Sequence, residues 1–223
     1  MPVASNIDPK WNRRYAEGDT PWDMGFPSRE LVRLLDEGLV SGMTALELGC
    51  GTGTNSLFLA SRGFLVRAVD GADLAIEMAR QRAPSNGFKV NEYGTHDSVS
   101  KGAADQPFQI EYLVADVCAL PYWGMTFDFL FDRGCFHCVR QSNLAGYLQS
   151  VVSATHEGSR FLLLTGNANE QREGGPPRIH EHELRSEFES LFTIDDLHPF
   201  RFDDPDGPTG PLGWSCLMTR RPV

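Results

Sequence analysis

The chain holds 223 residues, 41% of them hydrophobic and 22% charged, a length that suits one large domain able to bury a real core. With 20 basic and 30 acidic residues the formal net charge is −10, which argues against a protein built to coat the backbone of a nucleic acid. No window reaches the roughly 18 apolar residues of a membrane span, and five cysteines, an odd number at low density, point to reduced thiols. The opening MPVASNIDPK lacks a basic start followed by an apolar run. The expectation is a cytoplasmic monomer with a small-molecule partner and neither nucleic acid nor membrane.

Residues 1–30 stand apart as a covering segment before a single domain over 31–223. The stretch WNRRYAEGDTPWDMGFPS is too aromatic for a free tail and too broken for a long helix. The run MTALELGCG (43–51) predicts a first strand ending at glycines, after which Thr54 caps a helix over 55–61 that stops at Gly63. A second strand spans 64–70, followed by a helix over 72–82 closed by Pro84. Residues 84–108, rich in Gly, Ser, Asn and Asp around FKVNEY, read as a weak strand plus loop. Strands follow at 110–115 and 126–131, then a helix over 143–154 and a buried strand, RFLLLT, at 160–165. After a Gly/Pro break at 174–177, EHELRSEF (181–188) is helical. Segments 192–197 and 214–219 pair as a hairpin, and FRFDDPDGPTGP (200–211) between them is expected to be an exposed turn. This alternation predicts an α/β, Rossmann-like fold: a seven-stranded, mostly parallel sheet with helices on both faces and an antiparallel C-terminal hairpin.

In open parallel sheets ligands bind beyond the carboxyl ends of the strands, near the point where strand order reverses. Here those ends carry Glu47 and the loop Gly49-Cys50-Gly51-Thr52-Gly53, then Asp70, Asp116 and Asp132. Glycines let backbone approach a ligand, and Asp70 follows at a distance suited to the two hydroxyls of a ribose. A dinucleotide is disfavoured, because Thr54 stands where the third fingerprint glycine would fall and the acids repel phosphate. A nucleoside bearing positive charge fits instead, and S-adenosylmethionine is the common metabolite of that description. Any single acid could merely cap a helix; four together point to the cation.

At this point ALELGCGTGTNSLFLA followed by AVD resembles the nucleotide-binding half of class I S-adenosylmethionine-dependent methyltransferases. WNRRYAEGDTPWDMG (11–25), FDFLFDRGCFH (127–137) and GGPPRIHEHEL (174–184) resemble the thiopurine and thiol/halide methyltransferase group, so the similarity spans most of residues 11–200. The resemblance implies that Trp11, Tyr15 and Trp22 belong to a lid over the cofactor, Tyr15 replacing a tryptophan of the halide branch. It places Gly49 against the methionine moiety, Asp70 on the ribose, Asp116 and Val117 beside the adenine, and Asp132 near the methionine end. Arg133 would face cofactor and substrate, making Asp132 and Arg133 the catalytic candidates. Plain core packing for the tryptophans and an ion pair for Arg133 are the structural alternatives.

The C-x-x-C pair Cys135 and Cys138 has no second cluster to complete a zinc site and is expected to line the substrate pocket; no metal is expected. His180, His182 and His198 match neither a zinc-protease helix nor a triad, and no G-x-S-x-G elbow occurs. The absence of an evident general base favours a soft nucleophile, so the expected enzyme methylates a small molecule, on sulfur, and releases S-adenosylhomocysteine. Methylation of a protein or small-molecule nitrogen is the competing activity, although D-R-G-C stands where many amine methylating enzymes carry N-P-P-Y. A non-catalytic S-adenosylmethionine-binding module and a dehydrogenase are the remaining alternatives.

Overall fold

The run TALEL forms β1 (Thr44–Leu48), buried on both faces from Ala45 onward, as expected of a strand with helices on either side. The computed structural model, which describes residues 8–91 and 109–222, pairs β1 in parallel with β2 (Leu65–Asp70) and with β5 (Phe127–Arg133). Outside β2 lie β4 (Gln109–Val114) and the three-residue β3 (Lys89–Asn91); outside β5 lies β6 (Thr155–Asn167). The two-residue β7 (Arg178–Ile179) also pairs with β6. An antiparallel pair, β8 (Phe192–Arg201) and β9 (Leu212–Arg220), completes the order β3-β4-β2-β1-β5-β6-β9-β8. The chain works outward from β1 to β3 and then returns to β5 on the other side, so strand order reverses beside β1.

The described residues thus form nine strands, not seven. The additions, β3 and β7, have three and two residues, too short for an alternating apolar pattern to mark them. The reading of 84–108 as weak strand plus loop agrees with β3, and 92–108 lie outside the described residues.

Strand alternation divides the core. Ala45, Phe129 and Phe131 share one face with Leu59 and Ile76, from α3 (Thr54–Ser61) and α4 (Asp73–Ser85), and with Leu31 and Leu34 of α2 (Arg29–Asp36). Leu46, Leu48 and Leu130 face the other way, toward Phe136 and Tyr147 of α5 (Phe136–Ser153) and Phe188 of α6 (Glu181–Phe188). Among the described residues no helix is long and apolar enough to cross a membrane.

Several local expectations need correction. Gly53, left-handed at φ 80°, occupies the N-cap of α3, and the hydroxyl of Thr54 instead accepts a hydrogen bond from Arg82. Helix α4 continues through Pro84 to Ser85, and Gly87 N–H bonds back to the Pro84 carbonyl at 3.0 Å. Helix α5 starts at Phe136; Asn143 breaks its geometry, and its side-chain oxygen accepts from the Gly146 N–H, so the expected start survives as the cap of the second half. Helix α2 and the two-turn α1 (Lys10–Glu17) were not anticipated as elements, although Leu31, Leu34 and Leu35 carry helical spacing. The 200–211 turn is not simply exposed. Phe202 and Asp203 are 8% and 6% accessible: a Cβ on Gly213 would lie 2.5 Å from the Phe200 ring and 2.8 Å from that of Phe202, so glycine admits the two rings, and Asp203 accepts from Arg29 N–H at 3.3 Å.

Candidate active site

The carboxyl ends of β1, β2, β4 and β5 open into a cavity of about 760 Å³, within the range of small-molecule sites. On the β2–β4 side Asp70, Asp116, Val117 and Cys118 line it; on the β5–β6 side Arg133, His137, Pro176 and Pro177 do. Trp11, Tyr15 and Trp22 cover it from the amino-terminal segment, and Phe202 and Asp203 enter from the turn before β9.

Gly49, the first residue after β1, has φ 68°, and a Cβ there would sit 2.5 Å from that of Cys135. The chain can therefore turn beneath the cavity only with glycine. Asp70 orders the next stretch: its Oδ2 accepts from Gly51 N–H at 2.8 Å and its Oδ1 from Ala72 N–H at 2.8 Å. Burial pushes its carboxyl upward while these backbone bonds hold it down. Each oxygen retains a lone pair for a ligand hydroxyl. Asp116 uses Oδ1 to accept from Cys118 N–H at 2.8 Å, a local Asx turn that leaves Oδ2 available.

The three aromatic residues form one cluster. Trp22 lies edge-on to both Trp11 and Tyr15, with centroids 5.6 and 5.9 Å apart, and its Nε1–H donates to the Tyr15 hydroxyl at 3.2 Å. The Arg14 guanidinium covers the Trp22 ring at 4.2 Å. The segment is anchored to the sheet edge at separate points. Thr52 Oγ1 donates to Asp23 Oδ2 at 2.6 Å, Leu74 N–H to Asn12 at 3.2 Å, and Arg133 Nη1 to the Trp22 carbonyl at 3.0 Å.

Arg133 lies over the Phe202 ring at 5.3 Å, and among the described residues no carboxylate forms an ion pair with it. Burial pulls its basicity down, offset by the field of Asp203, Glu47 and Asp23. A guanidinium remains protonated under such a pull. His137 Nδ1 accepts from Gly166 N–H at 3.2 Å, and burial, with Arg133 nearby, lowers its value to about 4, so the ring is neutral. Cys118, Cys135 and Cys138 all line the cavity as free thiols, and burial pushes Cys118 and Cys138 up to about 11.

Of the expected site residues, Trp11, Tyr15, Trp22, Gly49, Asp70, Asp116, Val117 and Arg133 converge on this cavity. Cys50 and Gly51 line an adjoining recess of about 50 Å³ that shares Trp22, Gly49 and Arg133 with the cavity. Glu47 and Asp132 line neither, because both lie inside their strands rather than at or beyond the last residue. Glu47 shares the face of Ala45 and meets α3, where Ser56 and Asn55 donate to its carboxylate. Asp132 shares the face of Leu130 and caps α5, accepting from Cys135 N–H at 2.9 Å, Phe136 N–H at 3.0 Å and the Tyr147 hydroxyl at 2.7 Å. Asp132 therefore holds the start of α5 and has no contact with the cavity. Burial raises both carboxyls to about 7.

The wall still carries more acids than bases, but from other parts of the chain: Asp8, Asp203 and Asp204 join Asp70 and Asp116, against Lys10, Arg14 and Arg133. Asp203 and Phe202 sit in a stretch with the acidic, proline-rich composition of a solvent-facing turn, and nothing local marks Asp23 for its distant partner Thr52.

The family model for thiopurine S-methyltransferase matches residues 7–211. The chain is 30% identical over 205 residues to probable thiol methyltransferase 2 of Arabidopsis thaliana, across 86% of this chain and 79% of that protein. It is 28% identical over 183 residues to 2-heptyl-1-hydroxyquinolin-4(1H)-one methyltransferase of Mycobacteroides abscessus, across 81% of this chain and 72% of that one. A solved structure concerned with conversion of a disulfide bond into a thioacetal group during echinomycin biosynthesis shares the fold. It has a TM-score of 0.73 and 23% identity over 97% of this chain and 92% of its own.

Proposed function

Given that the chain belongs to the thiopurine S-methyltransferase family, we propose that it moves a methyl group from S-adenosylmethionine to the sulfur of a small-molecule thiol, releasing S-adenosylhomocysteine. Membership of the family makes it an S-adenosylmethionine-dependent methyltransferase. The choice of acceptor rests on Arg133, a partly buried cation that faces the cavity without a carboxylate in ion-pair contact among the described residues. A partly buried charge of this kind is stabilised by an anionic partner, and an ionised thiol supplies one.

The residues present suit the methyl donor. Asp70 keeps lone pairs for a ribose diol, and Asp116 with Val117 offers an acceptor and an apolar wall to adenine. The Trp11, Tyr15 and Trp22 cluster presents aromatic surface to a sulfonium, with Gly49 leaving room at the methionine end. We assign these residues to the cofactor on that chemistry, with the amino-terminal segment as its lid and residues 31–223 as the methyltransferase domain. When bound, the cofactor supplies an activated methyl group and a neutral sulfide leaving group. The protein's part is alignment, exclusion of water by the aromatic cover, and stabilisation of the acceptor anion by Arg133. A thiol ionises near neutrality, so no strong base is required of the chain.

A second acceptor class is an oxygen on a bicyclic heteroaromatic. The apolar wall of Pro176, Pro177 and Phe202 favours it, as does the name of the Mycobacteroides abscessus relative. A turnover assay with thiols, halides, amines and hydroxylated heterocycles, read by product mass, separates the two. Methylation of thiols is expected, and products from amines alone would overturn the proposal. The five free cysteines fit a reducing compartment such as the cytoplasm.

A further inference from the structure

His137 is the second residue of α5, three beyond Gly134, and its ring lines the cavity. Its environment decides which nitrogen carries the proton. A backbone N–H can only donate, and Gly166 N–H points at Nδ1 from 3.2 Å, with the Thr165 hydroxyl 3.4 Å from the same atom. Nδ1 is therefore the lone-pair nitrogen, and in the neutral ring the proton sits on Nε2. Among the described residues Nε2 has no hydrogen-bond partner, and the ring lines the cavity. A Cβ on Gly134 would lie 3.3 and 3.4 Å from Cε1 and Nε2, so a side chain there would crowd the edge that carries the donor.

We propose that His137 is a second acceptor-binding residue, held as its Nε2–H tautomer, which donates a hydrogen bond to the anionic atom of the methyl acceptor beside the Arg133 guanidinium. The proposal rests on the methyltransferase assignment above and narrows its substrate class to acceptors bound as anions on sulfur or oxygen. A thiolate or an oxyanion has three lone pairs: it can accept from both His137 and Arg133 and still present a pair to the methyl carbon. A neutral amine has one, and a donor placed on it blocks attack. Two convergent donors thus select against nitrogen. In the transfer the acceptor's lone pair forms the new bond to carbon, and the pair of the breaking carbon–sulfur bond stays with the departing sulfide. No proton moves in that step, because the acceptor has already lost its proton to water. The imidazole acts as a donor here, not as a base, since its available nitrogen already carries a proton.

Two variants separate the ring's contacts. His137→Asn keeps an oxygen able to accept from Gly166 N–H but has nothing at the Nε2 position, whereas His137→Gln restores an N–H there. With S-adenosylhomocysteine bound, wild type is expected to bind 4-nitrothiophenolate and 4-nitrophenolate in preference to 4-nitroaniline. His137→Asn should lose about tenfold for either anion, with S-adenosylhomocysteine affinity held within about twofold, and His137→Gln should recover most of the loss. Independently of any acceptor, heteronuclear NMR of nitrogen-labelled wild type should show His137 as the neutral Nε2–H tautomer. An Nδ1–H ring or an imidazolium overturns the inference, as does unchanged anion binding in His137→Asn or no recovery in His137→Gln. With S-adenosylmethionine supplied instead, wild type that methylates the phenolate but not the thiolate overturns the sulfur assignment alone. Wild type that binds neither anion overturns both.

Discussion

Asp23 accepts a 2.6 Å hydrogen bond from the hydroxyl of Thr52, joining the segment that covers the cavity to the glycine loop that floors it. Arg82 stands 3.6 Å from the same carboxylate oxygen and extends the tie to α4. A hydrogen bond to a charged group contributes about 1.5–3 kcal/mol. Asp23→Ala is therefore expected to speed release of S-adenosylhomocysteine by roughly tenfold. Stopped-flow tryptophan fluorescence measures the release; an unaltered rate would show that this contact does not hold the cover down.

Asp70 carries two roles, since the oxygens proposed to meet a ribose also order Gly51 and Ala72. Asp70→Ala is expected to weaken cofactor binding by about 1–3 kcal/mol. Asp70→Asn, which keeps one acceptor oxygen, should lose less. Calorimetry with S-adenosylhomocysteine tests both, and unchanged affinity in the alanine variant would remove Asp70 from the site.

Arg133 lies on the acceptor side of the cavity, although its Nη1 also holds the Trp22 carbonyl. Arg133→Ala should lower kcat/KM for a thiol by about 10–100-fold, the cost of losing a charge-assisted bond. Cofactor affinity should fall much less. Equal losses in the two measurements would assign Arg133 to the cover or the cofactor rather than the acceptor.

Glu47 offers a test through pH. Burial raises its carboxyl to about 7 in the folded protein, whereas an unfolded glutamate titrates near about 4.3. Between those values the native state holds the proton and the unfolded state does not, so this residue's contribution to stability falls as pH rises through the window and is level above it. Glu47→Gln has no such proton to lose. Relative to wild type, the variant should gain about 2–3 kcal/mol in urea denaturation on going from about pH 5 to about pH 8. A difference independent of pH would mean that Glu47 is already ionised in the native state.

Much of this site is written locally along the chain. The loop Gly49 to Gly53 and the acid Asp70, 19 residues beyond Gly51, announce a nucleoside-binding edge because tight turns and strand ends are specified by neighbouring residues. The boundaries of α6 follow for the same reason: its first turn carries Glu183, whose carboxylate accepts the His180 N–H in a capping box. The leucines of α2 carry the same kind of information in their helical spacing.

Where each acid falls along its strand is of another kind. Glu47 and Asp132 look like Asp70 and Asp116 in the sequence, yet they lie before the last residue of their strands, where helices cover the sheet, whereas Asp70 ends β2 and Asp116 lies beyond β4. Where each strand stops is set by pairing with strands tens of residues away. Pairings such as Asp23 with Thr52 or His137 with Gly166, and the return of Phe202 and Asp203 to the cavity wall, likewise join parts of the chain with no shared local pattern. The residues alone determined the kind of fold and the class of cofactor, because both depend on short-range propensity and on the chemistry of strand ends. Which carboxylates face the cavity, and the donors that surround an acceptor, were decided only when the sheet brought distant segments together.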